Sequence, residues 1–351
     1  MGWVAFTTAT LMAILGLFSQ CSSNASKHYN HTARCLYYWK SEFNLTQEQT
    51  DELKQSGVSR LFVKFFDVEW AEQFQRPVPV APIYFASPPP SGINIVPVVY
   101  ITNNTLIQLP HDQIPVLADS IYQKILDLLP NTSERPTEIQ FDCDWTGSTK
   151  DKYFEFLKEF RKKTPPTETI LSSTLRLHQV KYRTQSGIPP VERVTLMFYN
   201  MGNFKSIKTD NSILDLSTAK GYLSRLNEYP LPVDVALPLF SWGVVFRNGQ
   251  FTNLIAQLRT TDAYSMPETL KPEGNNRYIA LQSTMINGSN VGKGDLIRIE
   301  EISSQLCKQA AQLLSPKIPL TDTVQVILFH LDQELFQRYP NPEISEIYGA
   351  F

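Results

Sequence analysis

The segment Glu138–Trp145 carries the residues best suited to chemistry. Side chains alternate between the two faces of an extended chain. Gln140, Asp142 and Asp144 therefore share one face, and Phe141, Cys143 and Trp145 share the other. Two carboxylates one repeat apart stand roughly 7 Å from each other. In a confined site such like charges raise one pKa, which makes one of the pair an acid or base. A second segment, Ile170–His178, puts Ser172, Thr174, Arg176 and His178 on one face. An Arg176–Asp142 ion pair would be architecture without chemistry, so both readings stand. Asp144 is the leading acid/base candidate, and Asp142 is the deeper and more structural residue. A third cluster, Phe66-Asp67-Val68-Glu69-Trp70, places Glu69 beside an indole at a strand end. That suits either a sugar site or loop capping, with Lys64 as a partner for a carboxylate. His330 and Asp332 stand at the end of a later apolar run, as do Tyr38, Tyr199, Phe240 and Trp242 near theirs.

These residues sit at the ends of recurring strand-length apolar runs: Cys35–Trp39, Arg60–Phe66, Ile95–Thr102, Glu138–Trp145, Ile170–His178, Arg193–Asn200, Val233–Trp242 and Val324–Leu331. About eight such runs is the strand count of a TIM barrel. Helical patterns separate most of them. Thr46–Gln55 opens with a Thr46-x-x-Gln49 capping box, and Gln113–Leu129 spaces Ile114, Leu117, Ile121, Ile125 and Leu128 along one face. Lys150–Lys163, Ser217–Asn227 and Asp295–Leu314 read likewise. Continuous apolar strands alternating with helices specify a parallel sheet covered by helices. The expected fold is therefore an α/β (β/α)8 barrel over residues 35–351, with its chemistry at the C-terminal ends of the strands.

The connection between the seventh and eighth strands is too long for a simple barrel. Its excess, roughly Val244–Gly294, reads as short β-structure around Arg247-Asn248-Gly249 and Asn287-Gly288-Ser289. It is either decoration or a wall for a ligand groove.

Composition excludes several classes. Hydrophobic residues at 42% and charged residues at 19% rule out a largely disordered chain. Lys and Arg number 32 against 34 Asp and Glu, and no basic run breaks that balance, so no nucleic-acid partner is expected. The four cysteines show no CxxC and no zinc-like spacing, so neither metal nor cofactor is expected. No nucleotide, P-loop or zinc-protease signature stands in a supporting context.

The chain begins with an apolar run, Ala9–Phe18, too short to cross a bilayer but suited to a signal peptide. Ser19-Gln20-Cys21 after it resembles the lipobox of bacterial lipoproteins. The resemblance implies cleavage before Cys21, lipidation of that cysteine, a polar tether over 22–34 and a membrane-anchored location in the cell envelope.

A second resemblance concerns the barrel. Family 18 glycoside hydrolases, the chitinase-like barrels, carry D-x-x-D-x-D-x-E at the fourth strand. Here Ile139-Gln140-Phe141-Asp142-Cys143-Asp144-Trp145-Thr146 aligns Asp142, Asp144 and Trp145 with it, with Ile139 at the first Asp and Thr146 at the catalytic Glu. Met197-Phe198-Tyr199-Asn200 is similar to their sixth strand's M-x-Y-[DN]. Ala236-Leu237-Pro238-Leu239-Phe240-Ser241-Trp242 is similar to their seventh, which an insertion often follows. The whole chain also looks like bacterial lipoproteins with glycoside-hydrolase-like barrels. The resemblance implies a carbohydrate ligand held by Trp145, Tyr199, Asn200 and Trp242, with Asp144 and Asp142 as catalytic candidates; the strand-end reading adds Asp67 and Arg176 as ligand contacts and Glu69 as a further catalytic candidate. A threonine cannot be the family's proton donor. Two functions follow: a glycan-active hydrolase using another acid, or a non-catalytic envelope protein that binds glycan or a protein partner.

Overall fold

The computed structural model describes residues 29–130, 135–165, 167–319 and 321–351. Eight parallel strands run in chain order: His31–Tyr38, Arg60–Ala71, Asn94–Ile101, Glu138–Asp142, Ile170–Arg176, Arg193–Met197, Val233–Pro238 and Thr323–Phe329. Each pairs with its predecessor, and the first pairs with both the eighth and the second, so the sheet closes. This is the (β/α)8 barrel that the alternation specifies. Buried residues such as Leu61, Val98, Ile139, Val235 and Ile327 give it one continuous core.

The helices follow the sequence signals unevenly. Gln47–Gln55 is capped as expected: the Gln49 backbone N–H donates to Thr46 Oγ1, and the Thr46 N–H donates to Gln49 Oε1. Ile114–Leu128 and Lys150–Arg161 bury the expected apolar stripes. The expected helix over Ser217–Asn227 is instead one short helix, Leu216–Lys220, and a separate turn at Leu226–Glu228. The pattern over Asp295–Leu314 divides too. Leu296–Glu301 is a strand and Ser304–Leu314 a helix, because Ser303 caps the helix by accepting the Leu306 N–H. The first strand starts at His31, so 31–34 belongs to the sheet rather than to a tether. Cys21 and the expected signal peptide lie outside the described residues.

The insertion after the seventh strand is a five-stranded antiparallel sheet. It begins at Ser241–Arg247, earlier than the sequence boundary at Val244, and ends at Leu296–Glu301. Asn248-Gly249 and Asn287-Gly288 both take positive φ at each residue, the geometry of tight hairpin turns. Val245, Ile255, Leu258, Tyr278, Ile297 and Ile299 give the sheet a small core of its own.

The N-terminal end of the barrel is filled by a buried polar network. Glu138 accepts from Arg60, Ser172 and Gln325 at 3.1, 2.6 and 2.8 Å. Asp234 accepts twice from Arg193, at 2.6 and 2.5 Å, and from the Gln325 N–H at 2.6 Å. Every carboxylate there is paired, as a buried charge requires. Cys35, Cys143 and Cys307 are free, buried thiols.

Candidate functional site

The opposite end of the barrel holds a cavity of about 430 Å³. Its polar side comes from the fourth, fifth and sixth strands: Asp142, Asp144, Arg176, Tyr199 and Asn200. Its apolar side is Trp39, Phe240, Trp242, Leu254 and Phe329.

Strand register places the carboxylates. Tyr100 lies beside Asp142 across the third and fourth strands, so both project toward the cavity. The alternate face packs outward. Phe141 meets Phe156 and Phe160 edge-on, and Trp145 stacks on Tyr153 at 5.3 Å. Below the cavity, Gln140 accepts from Tyr37 Oη at 2.6 Å and donates to Thr195 Oγ1 at 2.9 Å, sealing the lumen.

The ion pair does not fall where the sequence placed it. Arg176 pairs with Asp144, not Asp142. Its Nε donates to Oδ1 at 2.5 Å and its Nη2 to Oδ2 at 3.0 Å. The reason is reach: both side chains lie at the strand ends, whereas Asp142 is one repeat deeper and takes the Thr174 hydroxyl at 2.7 Å. Burial and the neighbouring Asp144 push the Asp142 carboxyl up to about 6. The same surroundings raise the Tyr100 phenol to about 12. Burial alone would lower the Arg176 guanidinium, but its bonds and charge contact with Asp144 hold it well above its ordinary value.

Other expected site residues scatter. Trp145 is buried, and its Nε1 donates to the Ser186 carbonyl at 2.8 Å, so its ring offers no face to a ligand. Asp67 is tied to Lys64 at 2.8 Å. Glu69 lies on the exposed extension of the second strand, paired with Val78 in a hairpin and outside the cavity wall. Thr146 is exposed; its N–H donates to Thr149 Oγ1 at 2.9 Å at the start of the helix Lys150–Arg161. Tyr38 spends its hydroxyl on the Glu42 carbonyl. Asp332 accepts from Gln257 at 2.9 Å and from Arg338, as part of the scaffold.

Several wall residues escaped the sequence reading. Trp39 and Phe329 sit at the ends of the first and eighth strands, and Phe329 packs on Tyr37, Trp39, Tyr199 and Phe240. Leu254, Ala256 and Gln257 come from the insertion, so the inserted sheet is part of the wall. Its last strand carries a buried ion pair, Arg298 Nε to Glu300 Oε1 at 2.6 Å, whose remaining bonds attach the sheet. Glu300 Oε2 also accepts from Trp242 Nε1 at 3.0 Å and from the N–H and hydroxyl of Ser212. Arg298 donates onward to the carbonyls of Phe204 and Ser206. In sequence this region was signalled by the Met-x-Tyr-Asn and Pro-Leu-Phe-Ser-Trp motifs and by the long insertion, read there as decoration or a wall.

The barrel matches several solved structures. One is the C-terminal domain of a putative chitinase from Desulfitobacterium hafniense, at TM-score 0.56 and 9% identity over 91% of this chain and 100% of that one. The Bacillus cereus spore cortex-lytic enzyme SleL matches at TM-score 0.52 and 14% identity, over 92% of this chain and 74% of that one. A Group IV chitinase from Ostrinia furnacalis, solved in complex with allosamidin, matches at TM-score 0.51 and 8% identity over 91% and 97% of the two chains. No protein-family model and no curated protein sequence matches the chain. The fold is thus a chitinase-like, glycoside-hydrolase-like (β/α)8 barrel.

Proposed function

We propose that this chain is a glycan-binding barrel of the bacterial cell envelope, anchored through Cys21, that does not hydrolyse by the acid of the chitinase-like barrels. One observation carries the reading. At the end of the fourth strand Asp144 has both oxygens engaged by Arg176, and the next residue of the motif, Thr146, is an exposed helix-start residue without a carboxyl. What remains suits binding. Aromatic rings line one side of the cavity and hydrogen-bonding groups the other, the usual composition of a small-ligand site. The test is titration of purified protein with a panel of soluble oligosaccharides, alongside an assay for newly released reducing ends. Saturable binding without turnover supports the reading; turnover by the wild type overturns it.

A second reading rests on Asp142. A carboxyl raised to about 6 is half protonated at mildly acidic pH and would serve as a general acid. It predicts turnover that falls by roughly 10²–10⁴-fold in Asp142→Asn.

A further inference from the structure

The cavity's charges and hydrogen-bonding groups are unevenly matched. Asp144 is neutralised by Arg176. Lys64, the lysine of the second strand, is paired with Asp67. Asp142 has the Thr174 hydroxyl on one oxygen and no ion pair among the described residues. Of the titratable groups lining the cavity, two carboxylates therefore face one guanidinium. Burial lowers the His330 imidazole below its ordinary value, and Lys40 and Arg338 act in the same direction, so the cations at that side of the wall face His330 rather than Asp142.

Three further polar atoms of residues in the same wall are buried and have no hydrogen-bond partner among the described residues: Tyr199 Oη, Ser241 Oγ and His330 Nδ1. Tyr199 and Ser241 are each only 4% exposed. A buried polar group left unsatisfied is costly, and these three belong to residues that line the cavity. The two hydroxyls can donate or accept, the tautomer sets the role of His330 Nδ1, and an ionised Asp142 only accepts. Nε and Nη2 of Arg176 are already engaged by Asp144, so the cavity's guanidinium charge is spent there rather than on Asp142.

From this geometry we infer that the cavity selects a cationic amino sugar, a glycan residue with a free ammonium group, which lodges against Asp142. The inference rests on the glycan-binding reading and narrows its ligand class. An ammonium supplies the positive charge that Asp142 lacks, together with three donors. An N-acetylated sugar brings an uncharged amide with one donor, and an acidic sugar meets the unneutralised carboxylate. Asp142 would give up its proton on binding, because an adjacent positive charge favours the ionised form.

The test compares the tetramer of glucosamine with the tetramer of N-acetylglucosamine by calorimetric titration, in mildly acidic low-salt buffer where the amines carry their protons. The wild type is expected to bind the free-amine tetramer about ten- to a hundredfold tighter, the range of one charge-assisted hydrogen bond. Asp142→Asn, which keeps the shape, is expected to lose that preference while its thermal melt stays cooperative. Equal or tighter binding of the acetylated tetramer overturns the inference and leaves the glycan reading intact. A preference that survives in Asp142→Asn also overturns it. Binding of neither tetramer, nor of any other glycan in the panel, overturns the glycan reading and this inference together. The wild-type comparison stands alone if the variant does not fold.

Discussion

Arg176 grips Asp144 through both carboxylate oxygens, and in doing so settles which of two neighbouring aspartates has chemistry left to it. The pair sits at the rim, with 41% of the Asp144 side chain exposed, while Asp142 lies beneath it. A bidentate arginine fixes geometry as well as charge. The rim aspartate is thus a strut of the cavity mouth, and the buried aspartate is the group whose ionisation a ligand can change.

Asp144→Asn removes the charge and retains the shape. Since the pair is partly exposed, the expected loss is about 1–2 kcal/mol, between the values for exposed and buried pairs. Urea denaturation measures it directly. A loss near zero would mean that solvent already screens the pair and that Arg176 is held by other contacts.

Asp142 makes stability depend on pH with a definite sign. Its folded pKa, about 6, lies above the ordinary value of 3.8, so the folded state holds the proton more tightly than the unfolded chain. Stability falls as pH rises from about 4 to about 6 and is level above that window. The groups acting on Asp142 are Asp144 and Asp67, which raise its pKa, and Arg176 and Thr174, which lower it. Asp234 titrates in the same range but is unchanged by a mutation at 142, so it cancels in the difference. Relative to Asp142→Asn, the wild type should lose on the order of 2–3 kcal/mol across the window. Parallel stability curves for the two proteins would show that the carboxyl is not buried in solution.

The barrel was legible because its signal is repetitive. Eight apolar runs separated by amphipathic helices leave few alternatives, and the face shared by Asp142 and Asp144 follows from strand alternation alone. What alternation cannot supply is depth. Arg176 lies one strand from both aspartates, and only the positions of the strand ends decide that it meets the outer one. Glu69 misled for a related reason. The second strand continues beyond the barrel rim into a hairpin with Arg76–Val80, which carries Glu69 away from the cavity. Trp145 follows the alternation into the helix layer, so a motif match at that residue implied a ligand contact that its orientation denies. The insertion strands were legible from Asn-Gly turns. Their contribution of Leu254, Ala256 and Gln257 to the cavity was not, because it depends on how a whole sheet leans over the barrel.

Anchoring by Cys21 is tested by fractionation. Cys21→Ser is expected to move the protein from the membrane fraction to the soluble one and to abolish labelling by a fatty-acid analogue. Equal labelling of both forms would reject lipidation at that residue.

The inserted sheet offers the last test, of whether it is wall or scaffold. Replacing Val244–Gly294 with a Gly/Ser linker would leave Leu296–Glu301 as a strand without its neighbours, exposing Ile297 and Ile299. That variant is expected to aggregate. Excising Trp242–Glu301 instead removes the sheet with its own core, and it removes both partners of the Arg298–Glu300 pair, so no buried charge is stranded. The barrel keeps its closed sheet and its core, and its melt should stay cooperative. Ligand affinity should fall, because Trp242, Leu254, Ala256 and Gln257 leave the cavity together. The contrasting point variant is Glu300→Gln, which strands the Arg298 charge in the interior. It should cost about 3–5 kcal/mol, as for other broken buried pairs. If the clean excision fails to fold while Glu300→Gln is nearly silent, the sheet supports the barrel rather than walls the cavity.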